Sequence, residues 1–271
     1  MTYFAPDSLD DALVHLDTTA TSIVAGGTDF FPAMELAPKV ILDVSRIKGL
    51  RGIAPDHAGW RIGAATTWSD VINADLPAAF DGLKQAACEV GSQQIQNTGT
   101  IAGNLVNASP AADGVPPLLS LDARVELASV RGVRFLPVSE FITGVRQTAL
   151  QAGEMVTAIL IPPQPDHGRA AFNKLGSRKY LVISTAMVAA VINRDAQGRI
   201  DHARVAVGAC SPVAQRLPAL ETDLIGTTAD VQITTVHLSP LAPISDVRGS
   251  GEYRLDAVAE LIRRTIAGAS A

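Results

Sequence analysis

The period of the apolar positions changes along the chain and divides its 271 residues into three predicted units. In the first, residues 1–54, Leu9, Leu13 and Leu16 share one helical face behind Ser8, which predicts a capped helix. Short apolar runs predict strands at 22–25 and 39–44, with a short segment around 30–36 between them. The pattern therefore indicates a small α+β unit.

The second unit, residues 55–165, mixes both periods. Leu83, Ala86, Ala87 and Val90 share one face, which predicts a helix over 80–90. Other patterns predict a strand at 60–65, a segment at 68–73 capped by Thr66-Thr67, a helix starting at Pro116-Pro117, a hairpin at 125–130 and 133–137 turning at Gly132, and a strand at 154–161.

A proline-rich linker, 162–168, leads into the third unit, residues 166–271. Apolar runs predict strands at 170–175, 184–192 and 200–209, with a hairpin turn over 195–198. Helical spacing follows at 217–224, 228–236 and 253–267. The third unit is thus expected to be a small antiparallel sheet packed with helices, and the whole chain to be α+β.

Charge and cysteine content exclude several functions. The net charge is −5 and no basic block occurs, which argues against nucleic-acid binding. Charged residues make up 18% of the chain, below the roughly 25% of an average domain, which suits a subunit that buries surface against partners. No apolar run reaches the roughly 18 residues of a membrane span, and the N-terminus does not resemble a signal peptide.

The candidate metal and catalytic side chains form no recognisable set. Cys88 and Cys210 are too few to ligate an iron–sulfur cluster, which takes about four cysteines, and reduced thiols in the cytoplasm are expected. The five histidines show no metal spacing, and no nucleophile motif accompanies them. We therefore predict neither a metal site nor a catalytic residue on this chain.

Two stretches of small residues are the strongest local signals. The first, 23–29, contains Ala-Gly-Gly-Thr-Asp, and the second, 94–105, contains Thr-Ile-Ala-Gly-Asn. Either one alone is compatible with an ordinary turn. Glycines also allow positive φ and close approach of a ligand, and successive N–H groups in such a turn suit a phosphate. Neither stretch fits the spacing of a Rossmann or Walker loop, and neither has a lysine, so N–H and O–H groups are the expected donors.

Two further places carry polar side chains of interest. Asp113 follows the second stretch closely, in a loop otherwise nearly free of charge, and its position before Pro116 is typical of a helix N-cap. Three basic residues, Lys174, Arg178 and Lys179, lie at the start of the third unit, and most such side chains are simply solvated.

Taken together, these stretches resemble the FAD-binding medium subunits of the molybdenum hydroxylases, the xanthine dehydrogenase and carbon monoxide dehydrogenase type. The resemblance rests on Ala-Gly-Gly-Thr-Asp, Gln-Ile-Gln-Asn-Thr-Gly-Thr-Ile-Ala-Gly-Asn and Ala-Ser-Pro-Ala-Ala-Asp. It continues at 41–47, 62–67, 121–125 and 243–254 and so covers nearly the whole chain. One departure is Ala102, where the family usually has glycine.

The resemblance implies a two-part FAD-binding domain of the PCMH/vanillyl-alcohol-oxidase type, followed by a C-terminal domain of the CO dehydrogenase flavoprotein type. It implies non-covalent FAD, with a basic residue at the Arg178 segment near the flavin and Tyr180 as a candidate to cover the ring. The implied FAD-binding residues are Val24, Ala25, Gly26, Gly27, Thr28, Asp29, Thr100, Ile101, Ala102, Gly103, Asn104, Asp113 and Arg178.

By the same resemblance, the chain passes electrons from iron–sulfur clusters to NAD, oxygen or a quinone. Molybdopterin and [2Fe-2S] clusters are expected on a large molybdopterin subunit and a small iron–sulfur subunit, giving a cytoplasmic heterotrimer. Two alternatives stay open at this point: a self-sufficient FAD-dependent oxidoreductase of the same fold, and a non-catalytic subunit that has lost FAD.

Overall fold

A computed structural model describes residues 2–32, 40–229 and 231–270. The N-terminal part contains one helix packed on a small sheet. Ser8 caps the helix by accepting a hydrogen bond from the Asp11 N–H, and Ala12 and Leu13 bury its apolar face. The central strand pairs in parallel with both neighbours. The elements are β1 (Thr2–Phe4), α1 (Leu9–Thr18), β2 (Ser22–Val24) and β3 (Val40–Asp43), in sheet order β1-β3-β2.

The middle part is an antiparallel five-stranded sheet covered by short helices. Its largest buried side chains include Trp68, Phe80 and Leu105, which hold the helices against the sheet. The elements are β4 (Ile53–Asp56), β5 (Gly59–Gly63), α2 (Trp68–Asn73), α3 (Asp81–Glu89), α4 (Gln93–Thr98), α5 (Ile101–Asn107), α6 (Val115–Ser120), β6 (Arg124–Ser129), β7 (Gly132–Pro137), α7 (Val138–Phe141), β8 (Ile142–Gly144), β9 (Gln147–Thr148) and β10 (Met155–Ile161), in sheet order β4-β5-β10-β6-β7 with β8-β9 as a separate hairpin.

The C-terminal part is an antiparallel four-stranded sheet with a long helix across it. Val258, Ile262 and Ile266 lie on the buried face of this helix at the predicted spacing. The other helix packs Leu220 and Leu224 into the same core. The elements are β11 (Arg169–Leu175), β12 (Ala186–Arg194), β13 (Ile200–Gly208), β14 (Gln215–Arg216), α8 (Pro218–Leu224) and α9 (Gly251–Ala269), in sheet order β11-β12-β13-β14.

The α+β fold with a C-terminal antiparallel sheet confirms the predicted class, and two local predictions are wrong. The described residues of 228–236 form turns and irregular chain instead of a helix. The second small-residue stretch is not a turn, because it folds into α4 and α5. Most of the segment predicted at 30–36 lies outside the described residues. The unit boundaries at 54 and 165 remain a proposal; strand β4 crosses residue 54.

Candidate cofactor-binding site

The first small-residue stretch is a turn whose glycines are required by its surroundings. It leaves the buried end of β2 at Val24. A Cβ atom on Gly26 would overlap the backbone oxygen of Thr98, so the turn and the end of α4 touch backbone to backbone. Gly27 has φ +68° and packs under the ring of Phe31. Only glycine satisfies both the contact and the φ angle without strain.

The second stretch is held in place by hydrogen bonds that sequence reasoning missed. Thr100 caps α5, because its Oγ1 accepts from the Gly103 N–H at 3.1 Å. The Ile101 N–H donates to the Thr66 carbonyl at 3.0 Å, and the Trp68 N–H donates to the Gly99 carbonyl at 3.1 Å. The Thr100-x-x-Gly103 spacing is a capping signal that predicts the helix start. The N–H groups at this start are therefore already paired and are not a phosphate nest.

Residues of both stretches line one cavity of about 480 Å³. It brings together nine of the thirteen predicted FAD-binding residues. Ile101, Ala102, Asp113 and Arg178 do not line it; Ile101 and Ala102 are buried in the core, on the other side of α5. The cavity is lined by Ser22, Ile23, Val24, Ala25, Gly26, Gly27, Thr28, Asp29, Phe30, Trp68, Val90, Ile95, Gly99, Thr100, Gly103, Asn104, Val106 and Asn107.

The cavity wall offers hydrogen-bonding groups that the protein leaves unsatisfied. Within residues 2–32, 40–229 and 231–270, the N–H groups of Gly26, Gly27 and Thr28 have no acceptor. The Asn104 Oδ1 atom is buried without a partner. A buried polar atom normally has a hydrogen-bond partner, so these groups suit a polar ligand. The asparagine amide carries a donor and an acceptor, and rotation about its last bond exchanges them.

Asp113 is part of a buried ion pair, and the next residue, Gly114, lies beside Asn104. A Cβ on the neighbouring Gly114 would lie 2.8 Å from Asn104 Oδ1. Asp113 Oδ2 accepts from Lys174 Nζ at 2.7 Å, and Oδ1 accepts from Ser184 Oγ at 2.6 Å. Burial raises the pKa of the Asp113 carboxyl, although the Lys174 charge opposes this rise. Asp113 is not a helix cap: Gly114 occupies the N-cap position of α6 without a side-chain hydrogen bond.

A second cavity, of about 590 Å³, has Glu89 at the C-terminal end of α3 in its wall. The next residue, Val90, lines the first cavity. Lys174 contributes to the wall of the second cavity together with Arg178 and Lys179. The position of Lys174 is the feature that sequence reasoning left undecided, because its partner is 61 residues away.

Arg178 and Tyr180 face solvent. The Arg178 guanidinium donates to the carbonyl of Leu181 and so closes its own loop. The Tyr180 side chain is 62% exposed, and the Lys179 ammonium lies 5.1 Å from its ring centroid. Neither side chain touches Asp113, and a covering role for Tyr180 remains a prediction.

Comparison with known proteins decides the family. Residues 1–164 match the family described as the FAD binding domain in molybdopterin dehydrogenase, and residues 170–269 match the CO dehydrogenase flavoprotein C-terminal domain. The chain belongs to the FAD-binding medium subunits of the molybdenum hydroxylases. The resemblance found in the sequence is thereby confirmed.

Individual relatives cover the chain almost end to end. It is 34% identical to the nicotine 6-hydroxylase medium subunit of Paenarthrobacter nicotinovorans, over 99% of this chain and 97% of that protein. It is 32% identical to the putative xanthine dehydrogenase FAD-binding subunit of Escherichia coli (strain K12), over 99% and 96%. A chain of the reconstituted CO dehydrogenase from Oligotropha carboxidovorans superposes with a TM-score of 0.92 at 28% identity, over 100% and 97%.

Family membership makes the chain an oxidoreductase subunit with an FAD-binding domain. The matches do not favour the two alternatives, a self-sufficient oxidoreductase and a subunit without FAD. The described residues hold no group of three or more His, Cys, Asp or Glu placed to bind a metal ion. No helix in the described ranges has the length and apolar character needed to cross a membrane.

The residues present fit an FAD. The free N–H groups of Gly26, Gly27 and Thr28 suit the diphosphate, since such donors in a turn bind phosphate oxygens without a lysine. Asn104 lines the same cavity, and its Oδ1 atom is buried without a hydrogen-bond partner among the described residues. Lys174, whose buried ammonium pairs with Asp113, lines the second cavity, and a nearby charge suits a flavin because it tunes the flavin's electronics.

Proposed function

We propose that the chain binds FAD non-covalently across the first and second cavities and serves as the electron-transfer subunit of a molybdenum hydroxylase. The observation that carries the proposal is the first cavity. Its walls come from two distant glycine-containing stretches that meet backbone to backbone at Gly26, and the N–H groups of Gly26, Gly27 and Thr28 have no acceptor among the described residues.

The first turn provides the diphosphate contacts in this proposal. The N–H groups of Gly26, Gly27 and Thr28 donate to phosphate oxygens, and Thr28 adds a hydroxyl. Thr28 also occupies the position where related oxidases attach flavin covalently through histidine or cysteine; its hydroxyl supports a non-covalent cofactor. The proposed contact residues from this turn are Val24, Ala25, Gly26, Gly27, Thr28 and Asp29.

Helices α4 and α5 provide the contacts on the side of the cavity that faces the first turn. The Thr100 hydroxyl accepts from Gly103 N–H and keeps its own proton available for a ligand oxygen. Asn104 supplies the buried amide. Ile101 and Ala102 act from behind, because their side chains lie in the core and fix the helix that presents Thr100, Gly103 and Asn104.

The Asp113 end provides the electrostatic contacts. Each Asp113 oxygen accepts one hydrogen bond within the protein and retains a lone pair for a ligand hydroxyl. Lys174, held by Asp113, is the buried cation of this end, and Arg178 adds a second cation at the solvent side of the same cavity. Positive charge here favours the anionic reduced form of a flavin.

Bound FAD supplies the capacity to take up and release electrons, which the side chains of this chain lack. The protein holds the cofactor and sets its electrostatic surroundings. A substrate hydroxylation on this chain is not part of the proposal, because the described residues around both cavities include no acid–base pair placed for it.

Partner subunits complete the proposed assembly. Relatives named as medium subunits or medium chains support a complex with further chains. We assign the [2Fe-2S] clusters to a small subunit and molybdopterin to a large one, with NAD, oxygen or a quinone as acceptor. Both cysteines are free thiols, which supports a cytoplasmic complex.

Reconstitution tests this division of labour. The chain loaded with FAD is mixed anaerobically with purines, aldehydes or N-heterocycles, and flavin absorbance is followed. We expect no bleaching with the chain alone, and bleaching by the cognate substrate once the cluster and molybdopterin subunits are added. Rapid reduction of the isolated chain by an organic substrate would contradict the proposal and favour a self-sufficient oxidoreductase.

A further inference from the structure

Ser184 is the second hydrogen-bond donor to Asp113, and hydrogen bonds of the next residue fix its backbone. It lies two residues before β12 and is 2% exposed. The next residue, Thr185, donates its N–H to the Leu175 carbonyl at 2.8 Å and accepts from the buried Arg254 guanidinium. The serine hydroxyl therefore has little freedom to move away from Asp113.

Lys174 holds the other carboxylate oxygen through a longer side chain. Its ammonium ends a flexible four-carbon stem, whereas the serine hydroxyl is one bond from Cβ. Ser184 Oγ contacts Oδ1 at 2.6 Å and Lys174 Nζ contacts Oδ2 at 2.7 Å. Because the rigid Ser184 donor holds Oδ1, it fixes the orientation of the carboxylate. The flexible Lys174 ammonium then takes the position that Oδ2 determines.

We propose that Ser184 is a positioning residue, which orients the Asp113 carboxylate and thereby fixes the ammonium of Lys174, a residue that lines the second cavity. This inference rests on the proposed function, because the placed charge acts on FAD. Ser184 acts only through Asp113, and its hydrogen bond also stabilises the ionised carboxylate in a site where burial opposes the charge.

A neighbouring serine provides a matched control. Ser211 is also buried, at 8% exposure, and lines the same small cavity as Ser184. Its hydroxyl donates to the Cys210 carbonyl and accepts from the Ala242 N–H, without contacting Asp113. Removing either hydroxyl loses a buried hydrogen bond, but only Ser184→Ala disturbs the carboxylate.

The test uses the FAD-loaded chain and measures two quantities, the FAD dissociation constant and the midpoint potential of the bound flavin. For Ser184→Ala we expect an increase of about tenfold in the dissociation constant, as for a lost hydrogen bond to a charged group. The potential should shift to more negative values, because a carboxylate that is no longer oriented holds the Lys174 ammonium less well in the place where its charge favours the reduced flavin. Ser184→Thr keeps the hydroxyl and should restore both quantities, and Ser211→Ala should change neither.

A double variant shows whether Ser184 works through Asp113. In an Asp113→Asn background, Ser184→Ala should cause no further change in potential, since residues that act as a unit are not additive. If Asp113→Asn alters FAD binding and potential while Ser184→Ala leaves both unchanged, the positioning role is wrong and the proposed function stands. If neither substitution changes the FAD dissociation constant, the assignment of Asp113 to the cofactor site is wrong as well.

Discussion

The two ends of the proposed FAD site are built on different physical principles. At the Gly26–Gly27 turn the site consists of backbone groups and small side chains, and shape determines what fits. At Asp113 it consists of a buried ion pair with Lys174 and a serine donor, and charge determines what fits. At the first end, a substitution that adds an atom is therefore the damaging one. At the second end, a substitution that removes a partner of Asp113 is the damaging one.

The largest effect on FAD affinity is expected from adding one methyl group at the turn. Gly26→Ala places a Cβ against the Thr98 carbonyl, so the turn and α4 must separate. We expect FAD affinity to fall by at least about 100-fold, roughly 2.8 kcal/mol at 1.4 kcal/mol per factor of ten. Isothermal titration with FAD measures the loss. Gly49→Ala is the matched control, because a Cβ there meets nothing within 4 Å, and its affinity should equal that of the wild type.

The corresponding change at the charged end removes a partner. Lys174→Met leaves Asp113 buried beside Ser184 without a counter-charge, and breaking a buried pair in this way costs about 3–5 kcal/mol. We expect the free energy of unfolding to fall by about 3 kcal/mol, the low end, because Ser184 still donates. Chemical denaturation measures it. Lys174→Met combined with Asp113→Asn should recover most of the loss; no recovery would show that the lysine stem, not the charge pair, provides the stability.

Asp113 also differs from Glu154, the other buried carboxylate among the residues that the structure describes. Burial raises the pKa of Asp113 above its ordinary 3.8, whereas two hydrogen bonds from Arg134 hold the pKa of Glu154 below its ordinary 4.5. Between its unfolded and folded pKa values, Asp113 binds more protons in the folded state, so its contribution to stability falls as pH rises. Glu154 has the opposite sign: its contribution is present above 4.5 and is lost as pH falls through its folded pKa.

Substitution of each carboxyl tests these two opposite pH dependences of stability. Unfolding free energies of wild type, Asp113→Asn and Glu154→Gln are compared between pH 3 and pH 8. The unfolding free energy of wild type should exceed that of Glu154→Gln by less as pH falls. The unfolding free energy of Asp113→Asn should rise relative to that of wild type as pH rises above 3.8. Parallel curves for all three proteins would mean that neither carboxyl has a shifted pKa.

The smallest expected effect locates the charged end relative to the cofactor. Cys88 is exposed and lines the second cavity with Lys174, whereas burial raises the pKa of Cys210 to about 11. Alkylation of the native chain should therefore modify Cys88 alone, and FAD should slow it about threefold by partial coverage of the cavity, about 0.6 kcal/mol. An unchanged rate with saturating FAD would place the cofactor outside this cavity.

The same contrast explains which parts of the site the sequence predicts. The shape-defined end depends on residues adjacent in the chain, so Ala-Gly-Gly-Thr-Asp and Thr-Ile-Ala-Gly-Asn are visible as motifs. The charge-defined end depends on Asp113, Lys174 and Ser184, which come from separate segments and meet only when β11 and β12 pack beside α6. A motif search therefore identified Asp113 without its partners.

Errors in the predicted fold have similar local causes. The glycines and small residues of the second stretch predict a turn, whereas the Thr100 hydroxyl caps a helix there. The helix predicted at 228–236 failed because its apolar residues, such as Val231 and Ile233, pack on the third sheet from irregular chain. Long periodic elements such as α9 were predicted well, since one apolar face determines them.

The central claim is that the two stretches enclose one non-covalently bound FAD. Acid precipitation of the purified chain, followed by chromatography of the supernatant, tests it most directly, with the Gly26→Ala variant prepared in parallel. We expect one FAD released per wild-type chain and almost none from the variant. Flavin that stays with the precipitated protein, FMN as the released species, or equal FAD from both proteins would contradict the claim.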